Sequence, residues 1–164
     1  MNILIAETDA QLKEVERLAD IVWREHYSKI ISMEQIDYML KSFQSFNAIK
    51  AQLSDGYIYC ILEDNEVNVG YISYKIEENA VFLSKIYVLD GFRGKGYAKK
   101  AVNYLKNISG NGNKIWLTVN KNNTDSINAY EKMGFCKERS QISDIGSGFV
   151  MDDFVMELDS VDMR

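Results

Sequence analysis

The residues with the clearest chemical potential lie in a glycine-rich segment at positions 90–98. An apolar, β-branched run ends at Val88, and the tetrapeptide Arg93–Gly96 follows shortly before a helical pattern that begins near Ala98. Backbone N–H groups of a glycine loop at the start of a helix favour an anion, because the helix dipole is positive there. The segment therefore predicts a phosphate or pyrophosphate site. Glycines are equally typical of a structural strand-to-helix connection.

Two common nucleotide-binding motifs do not fit the spacing of these glycines. A Walker A loop requires Gly-x-x-x-x-Gly-Lys-Ser/Thr, whereas Gly96 is followed by Tyr97. A dinucleotide fingerprint requires Gly-x-Gly-x-x-Gly, whereas Lys99 occupies the place of the third glycine. The pattern that does fit is Arg/Gln-x-x-Gly-x-Gly/Ala, which is met by Arg93, Gly96 and Ala98.

A second motif follows downstream, after a strand-like run at residues 115–119. Asn123, Thr124 and Asp125 are candidate N-cap residues of a helix that Gly134 is placed to end. Together the two motifs resemble the signatures of the GCN5-related N-acetyltransferases (GNAT), the second of which reads Asn-x-x-Ala-x-x-x-Tyr-x-Lys-x-Gly-Phe. The matching residues are Asn123, Tyr130, Lys132, Gly134 and Phe135, with Ser126 in place of the alanine.

The resemblance implies a site for acetyl-coenzyme A as cosubstrate, without a metal. The backbone N–H of Val88 is expected to polarise the thioester carbonyl, and Tyr130 is expected to protonate the leaving thiolate. Both residues also have a purely structural interpretation: Val88 as an ordinary core residue of a strand, and Tyr130 as an aromatic residue of the core. Asn123 has the alternative role of a helix cap. The residues that the resemblance assigns to acetyl-CoA are Tyr87, Val88, Arg93, Gly94, Lys95, Gly96, Tyr97, Ala98, Asn123, Ser126 and Tyr130.

The acceptor side of the reaction is less well defined by the sequence. Residues 23–27, 35–40 and 144–153 resemble bacterial acetyltransferases of the PaiA type, which act on spermine and spermidine. This resemblance predicts a small-molecule amine as the partner, polyamine-like or amino-acid-like. The candidate acceptor-binding residues are His26, Tyr27, Gln35, Tyr38, Ser84 and Asp152.

The general base has no clear candidate. Many relatives place a glutamate on the fourth strand near the position of Ser84, but residues 80–88 contain no carboxylate. His26 has a suitable ordinary pKa, although a lone histidine at a helix end is also typical of a cap or surface residue.

Two of the acceptor-binding candidates also have structural alternatives: Gln35 as a capping-box partner, and Tyr38 as a residue of the helix core. Asp152 and Asp153 are adjacent in a strand, so at most one of them faces the acceptor.

The composition excludes several other classes of protein. The chain has 164 residues and a net charge of −5 without a basic cluster, so we expect one domain over residues 1–164 and no nucleic-acid partner. It contains no apolar run that fits a signal peptide or a membrane span. Cys60 and Cys136 have neither metal-site spacing nor a disulfide framework, which favours the cytoplasm. A monomer or a homodimer is expected.

The elements that must position these motifs follow from hydrophobic periodicity and turn residues. Thr8–Gln11 and Ser32–Gln35 are capping boxes that each open a helix, and residues 45–53 predict a short third helix. Residues 145–148 read as a hairpin turn. These elements predict an α+β fold of about seven mainly antiparallel strands with helices on both faces, and the resemblance to the GNAT family implies that it includes a splayed parallel pair. The expected strands are residues 1–7, 57–62, 67–76, 80–88, 115–119, 136–144 and 149–158.

The expected function is acetyl transfer from acetyl-CoA to a primary amine by direct attack through a tetrahedral intermediate. Two other classes remain open at this point: an acetyltransferase of peptide or protein amines, and a non-catalytic acyl-CoA sensor. The sensor remains possible because the strand at residues 80–88 contains no carboxylate that could act as the general base.

Overall fold

The computed structural model describes residues 1–159, which form seven strands and five α-helices in the predicted order. One short 3₁₀ helix, Asp90–Phe92, was not expected from the sequence. The strands are β1 (Asn2–Ile5), β2 (Tyr57–Asp64), β3 (Val67–Ile76), β4 (Ala80–Val88), β5 (Lys114–Asn120), β6 (Cys136–Gly146) and β7 (Phe149–Asp159). The helices are α1 (Asp9–Tyr27), α2 (Met33–Phe43), α3 (Phe46–Ser54), α4 (Tyr97–Ser109) and α5 (Thr124–Lys132).

The seven strands form one hydrogen-bonded order, β1-β2-β3-β4-β5-β7-β6. Only β4 and β5 pair in parallel among the pairings described, so the predicted mixed, mainly antiparallel sheet is confirmed. The chain divides into two compact units, of which the first comprises residues 1–75 and 85–102 and the second the remainder. The single domain expected over residues 1–164 stays a prediction, and its last five residues lie outside the described part of the chain.

In the first unit, the predicted helix caps begin the helices. The hydroxyl of Thr8 accepts from the N–H of Gln11 at 3.2 Å, and Oε1 of Gln11 accepts from the N–H of Thr8 at 3.0 Å. The hydroxyls of Ser32 and Ser45 accept in the same way at the starts of α2 and α3. These bonds satisfy N–H groups that have no acceptor within the helix. α1 then buries the predicted apolar face: Leu12, Val15, Leu18, Ala19 and Val22.

Two-residue turns connect β2 to β3 in the first unit and β6 to β7 in the second. Asn65 and Glu66 adopt φ of 49° and 65°, and Ser147 and Gly148 adopt 53° and 79°. Two consecutive positive φ angles match the twist of the flanking strands. β2 therefore extends to Asp64, beyond the predicted strand end at residue 62.

In the second unit, the two long pairings are antiparallel: β5 with β7 and β7 with β6. β5 pairs with β7 along its whole length, from Lys114 opposite Asp159 to Asn120 opposite Asp153. Its parallel register with β4 covers residues 80–82 and 114–116. The predicted parallel pair is therefore confirmed at the start of both strands.

In residues 1–159, no helix combines the length and the apolar character needed to cross a membrane.

Candidate active site

The glycine loop of the first unit is open on one side. Gly94 and Gly96 adopt φ of 76° and 82°, which favours glycine at both positions. A Cβ added to either residue would meet nothing within 4 Å. The N–H of Lys100 donates to the carbonyl of Gly96 at 3.0 Å, so the N–H groups of residues 97–99 precede the first intrahelical bond. The loop thus offers unpaired donors and space at a helix N-terminus, which suits a phosphate group.

The side chain of Arg93 holds the loop against the end of β4. Its Nε donates to the carbonyl of Val88 at 3.1 Å, and its Nη1 lies 3.3 Å from Nδ1 of His26 and 3.6 Å from Oδ1 of Asp90. A guanidinium only donates, so Nδ1 of His26 must accept in this contact. The sequence-predicted residues Val88, Arg93 and His26 therefore lie together. The proton-accepting atom of His26 is already used by Arg93.

The first residue of α4 is anchored by its side chain. The hydroxyl of Tyr97 donates to Oδ2 of Asp64 at 2.6 Å, and the ring of Tyr97 is buried. This hydrogen bond raises the pKa of Tyr97 and lowers the pKa of Asp64. The next residue, Ala98, is half-buried, while Lys95 lies exposed with its Nζ 5.4 Å from the ring centre of Phe92. Tyr97 thus fixes where α4 begins.

A glycine on β3 permits close approach of the backbone at the end of β4. A Cβ on Gly70 would lie 2.1 Å from the carbonyl oxygen of Tyr87 and 3.0 Å from Cα of Val88. No side chain fits there without movement of β4. The N–H of Leu89 donates to the carbonyl of Val69 at 2.8 Å, which fixes the strand end in place. Gly70 was not among the residues predicted from the sequence, although a glycine inside an apolar strand is a known signal of close backbone approach.

An aromatic cluster joins α1 to β4 in the same unit. Tyr27 stacks on Trp23 with ring centres 4.2 Å apart, and its hydroxyl lies 3.3 Å from that of Tyr87. The ring of Tyr87 also lies 5.4 Å from that of Tyr71. Two of the predicted site residues, Tyr27 and Tyr87, are therefore in direct contact.

The remaining acceptor candidates of the first unit lie on α2. Gln35 is half-buried, and its backbone N–H donates to the hydroxyl of Ser32 at 3.1 Å, so the Ser32 cap is confirmed and a capping role of the Gln35 side chain stays a prediction. Tyr38 is half-buried, and its ring centre lies 6.3 Å from that of Phe43.

A buried lysine on β4 was not predicted from the sequence. Lys85 is 7% exposed, and its Nζ donates to the carbonyl of Phe43 at 3.0 Å, to Oε1 of Gln52 at 2.8 Å and to the hydroxyl of Tyr59. Burial lowers the pKa of Lys85 to about 7. The signal was present in the sequence, because Lys85 continues the inward positions of Val81 and Leu83 along β4.

The second motif occupies α5 in the second unit. Asn123 is 3% exposed and caps the helix, since its Oδ1 accepts from the N–H of Ser126 at 3.3 Å. The helix ends as a Schellman motif: the N–H of Gly134 donates to the carbonyl of Glu131, and that of Phe135 to the carbonyl of Tyr130, both at 3.0 Å. Gly134 therefore ends α5 as predicted. Tyr130 is 9% exposed, with its ring centre 5.8 Å from that of Phe135.

The two aspartates of β7 differ sharply in their surroundings. The side chain of Asp152 is 52% exposed and pairs with Nζ of Lys121 at 2.9 Å. Asp153 is 7% exposed, and its Oδ1 is buried without a hydrogen-bond partner in the described residues. Burial, and then the neighbouring charge of Asp152, raise the pKa of Asp153 to about 6. Ser84, on β4 of the same unit, is half-buried.

Within residues 1–159, no group of three or more His, Cys, Asp or Glu side chains is arranged to hold a metal ion. The glycine loop, in contrast, has the donors and the open space that the phosphates of coenzyme A require.

Comparison with known families gives an independent assignment. Residues 15–135 match the Acetyltransferase (GNAT) family. The chain belongs to this family. GNAT enzymes transfer an acetyl group from acetyl-CoA, so the protein is an N-acetyltransferase with acetyl-CoA as its cosubstrate. A search among curated proteins finds no significant match.

Solved structures share this fold over at least 97% of the chain. PaiA N-acetyltransferase from Thermoplasma acidophilum, in complex with coenzyme A, is 22% identical with a TM-score of 0.78, over 97% of this chain and 99% of that one. A spermidine N-acetyltransferase SpeG chimera from Vibrio cholerae and hSSAT is 19% identical with a TM-score of 0.67, over 98% and 97%. Ribosomal-protein-alanine N-acetyltransferase from Brucella melitensis is 17% identical with a TM-score of 0.65, over 97% and 99%.

Proposed function

We propose that this GNAT enzyme acetylates a primary amine of a small molecule, polyamine-like or amino-acid-like, by direct attack on acetyl-CoA. The observation that carries the use of acetyl-CoA is the open glycine loop at the start of α4, whose unpaired N–H groups and free space suit the pyrophosphate. Support for the acceptor class comes from the fold shared with PaiA and SpeG, and from the net charge of −5.

The proposed donor site uses the backbone at the end of β4. The N–H of Val88 polarises the thioester carbonyl, and residues 93–98 hold the pyrophosphate. The contacts of Arg93 and Gly70 with residues 87–88 support this role, because both restrain this stretch of backbone. A preorganised donor of this kind typically contributes about 2.7–4 kcal/mol to transition-state stabilisation.

Tyr130 is the proposed acid that protonates the leaving thiolate. Its support is the match to the second GNAT signature and its burial, which keeps a weak acid away from competing water. We expect Tyr130→Phe to lower kcat by roughly 10–10³-fold with nearly unchanged affinity for acetyl-CoA. Steady-state kinetics with calorimetric binding of CoA measures both quantities. Unaltered turnover would remove the acid role and leave core packing against Phe135.

The donor half of the proposal is tested by binding. CoA and acetyl-CoA should raise the melting temperature, and Gly96→Asp should abolish this shift by placing bulk and negative charge in the phosphate site. Gly112→Asp is a matched control, since Gly112 also has a positive φ of 87° and open space around its Cβ. It should lose similar stability but keep CoA binding. Retained binding by Gly96→Asp would contradict the loop assignment.

The acceptor half is tested by thiol release from acetyl-CoA with polyamines, amino acids, aminoglycosides and short peptides. Turnover confined to peptides would favour a peptide or protein acetyltransferase, a class named by the Brucella melitensis neighbour. Binding of CoA without thiol release from any amine would favour a non-catalytic sensor.

A further inference from the structure

The buried aspartate of β7 has an unsatisfied carboxylate oxygen. Asp153 is 7% exposed, and no hydrogen bond to its Oδ1 is formed by any described residue. A buried carboxylate without a donor is strongly unfavourable, whereas an asparagine or an apolar residue would carry no such charge at this place. An oxygen of this kind is suited to receive a proton or an N–H group from a bound molecule.

The sheet of the second unit shows which face carries this oxygen. Asp153 lies opposite Asn120 of β5 and Gln141 of β6. Residues directly opposite each other in an antiparallel pair share a face, so Asp153 lies on the face of Asn120, Thr118 and Trp116. The other face of β5 is apolar and buried, with Ile115, Leu117 and Val119.

The same face continues onto β4. Phe82 is opposite Trp116 in the parallel register, and their rings stack with centres 4.1 Å apart. Ser84 lies two residues after Phe82 and therefore on the same face of β4. The end of this face nearest Asp153 also adjoins the start of α5, since the N–H of Asn123 donates to the carbonyl of Asn120 at 2.9 Å. Asp153 therefore lies on the same face of the sheet as Ser84, the position near which many GNAT relatives carry a glutamate.

We propose that Asp153 is the general base that accepts the proton of the acceptor ammonium. The inference rests on the proposed function. An amine of reference pKa near 10 is protonated at neutral pH and has no free electron pair for attack. One N–H bond breaks and an O–H bond forms on Asp153. The nitrogen then attacks the thioester carbonyl, the C–S bond breaks, and the thiolate takes the proton of Tyr130. The second proton of the nitrogen returns to Tyr130, and Asp153 releases its proton to water.

The surroundings of Asp153 suit this task. Its charged neighbours are Asp152 on its own strand and Lys121 at the end of β5; Arg139 on β6 is hydrogen-bonded to Gln141, which faces Asp153. Burial and Asp152 raise the pKa of Asp153 to about 6, although Lys121 opposes the shift. A carboxylate of this pKa is ionised at neutral pH and is a stronger base than an exposed one.

The decisive experiment is the pH dependence of kcat for the wild type and Asp153→Asn, with an amine that the wild type acetylates. We expect the substitution to lower kcat by roughly 10²–10⁴-fold with unchanged CoA affinity. It should also remove the acid limb of the pH–rate profile, which is the fall of kcat as the pH drops through about 6. The defect should shrink for an acceptor amine that is already neutral at the assay pH. Glu157→Gln is the control, on the same strand and face but paired with Lys114 at 3.0 Å; its kcat should not change.

The outcomes separate this inference from the proposed function. Wild-type thiol release with an equally active Asp153→Asn overturns the base and leaves the acetyltransferase intact. A higher KM for the amine with an unchanged kcat and acid limb also overturns the base, because it indicates binding alone. Absence of thiol release from the wild type with every amine refutes the proposed function itself, and the base with it.

Discussion

Among the described residues, each of the two units buries one charged side chain, and these two side chains differ in their hydrogen bonds. Lys85, between β4 and α2–α3, donates to three protein acceptors. Asp153, on β7, has an oxygen with no partner in the described residues. Burial moves both pKa values toward neutrality, to about 7 and about 6. The two residues are therefore alike in burial and in the direction of their pKa shift toward neutrality, and they differ only in their hydrogen-bond partners.

This difference indicates what each charge is for. A buried ammonium whose three donors are used ties together the elements that supply the acceptors, here the end of α2, α3 and β2. A buried carboxylate oxygen without a donor lowers stability and is retained only where something else uses it. We therefore expect loss of Lys85 to destabilise the protein and neutralisation of Asp153 to stabilise it.

The largest effect on stability is expected for Lys85→Ala. The substitution removes the donor to Phe43, Gln52 and Tyr59 and leaves a cavity, so unfolding should become easier by about 2–4 kcal/mol. Urea unfolding at pH 6, where Lys85 with its pKa of about 7 is an ammonium, measures the change, with Lys29→Ala at an exposed position as the control. A stability equal to that of the wild type would show that the satisfied lysine contributes as little as a surface residue.

Asp153→Asn should have a smaller effect of opposite sign. The folded-state pKa of about 6 lies above the ordinary 3.8, so the folded state binds more protons between these values and loses stability as the pH rises through them. Asparagine does not titrate. The variant should therefore gain stability over the wild type as the pH rises from 4 to 6.5, reaching about 1–3 kcal/mol at pH 7.5. Urea unfolding across this range measures it. If the variant is less stable than the wild type at pH 7.5, the expectation is wrong, and Asp153 stabilises the fold through a contact as Lys85 does.

The smallest effect is expected for Tyr59→Phe. The hydroxyl donates to Gln52 at 2.5 Å and accepts from Lys85, but both of those residues keep other partners. The loss should therefore be about 1 kcal/mol. Lys85→Ala, in the same cluster, is the comparison variant. Chemical denaturation of both variants tests the order of effects, and a loss for Tyr59→Phe as large as that of Lys85→Ala would mean that the hydroxyl is the centre of the cluster.

Local patterns in the sequence were sufficient to predict most of the fold. The capping bonds of Thr8, Ser32 and Ser45 and the Schellman motif at Gly134 depend on residues within one turn of each other. For the same reason, the strand–loop–helix arrangement around Gly96 was readable from spacing alone.

The residues that were missed depend on contacts distant in sequence. Lys85 obtains its acceptors from residues 43, 52 and 59, and Gly70 matters because β4 approaches it. Alternation placed Asp152 and Asp153 on opposite faces, but only the pairing of β7 with β5 and β6 shows which of them is buried. Those pairings require the whole sheet, which no short pattern encodes.

The outer strand of the second unit has a consequence for solubility. β6 ends the strand order, so one row of its backbone groups faces away from the sheet. A long regular edge of this kind invites another chain to pair with it. β6 is interrupted by register shifts at Lys137/Arg139 and at Asp144/Gly146, and its side chains near the first shift are charged. These irregularities make the edge a poor template for aggregation, even though Ile142 is 72% exposed on it.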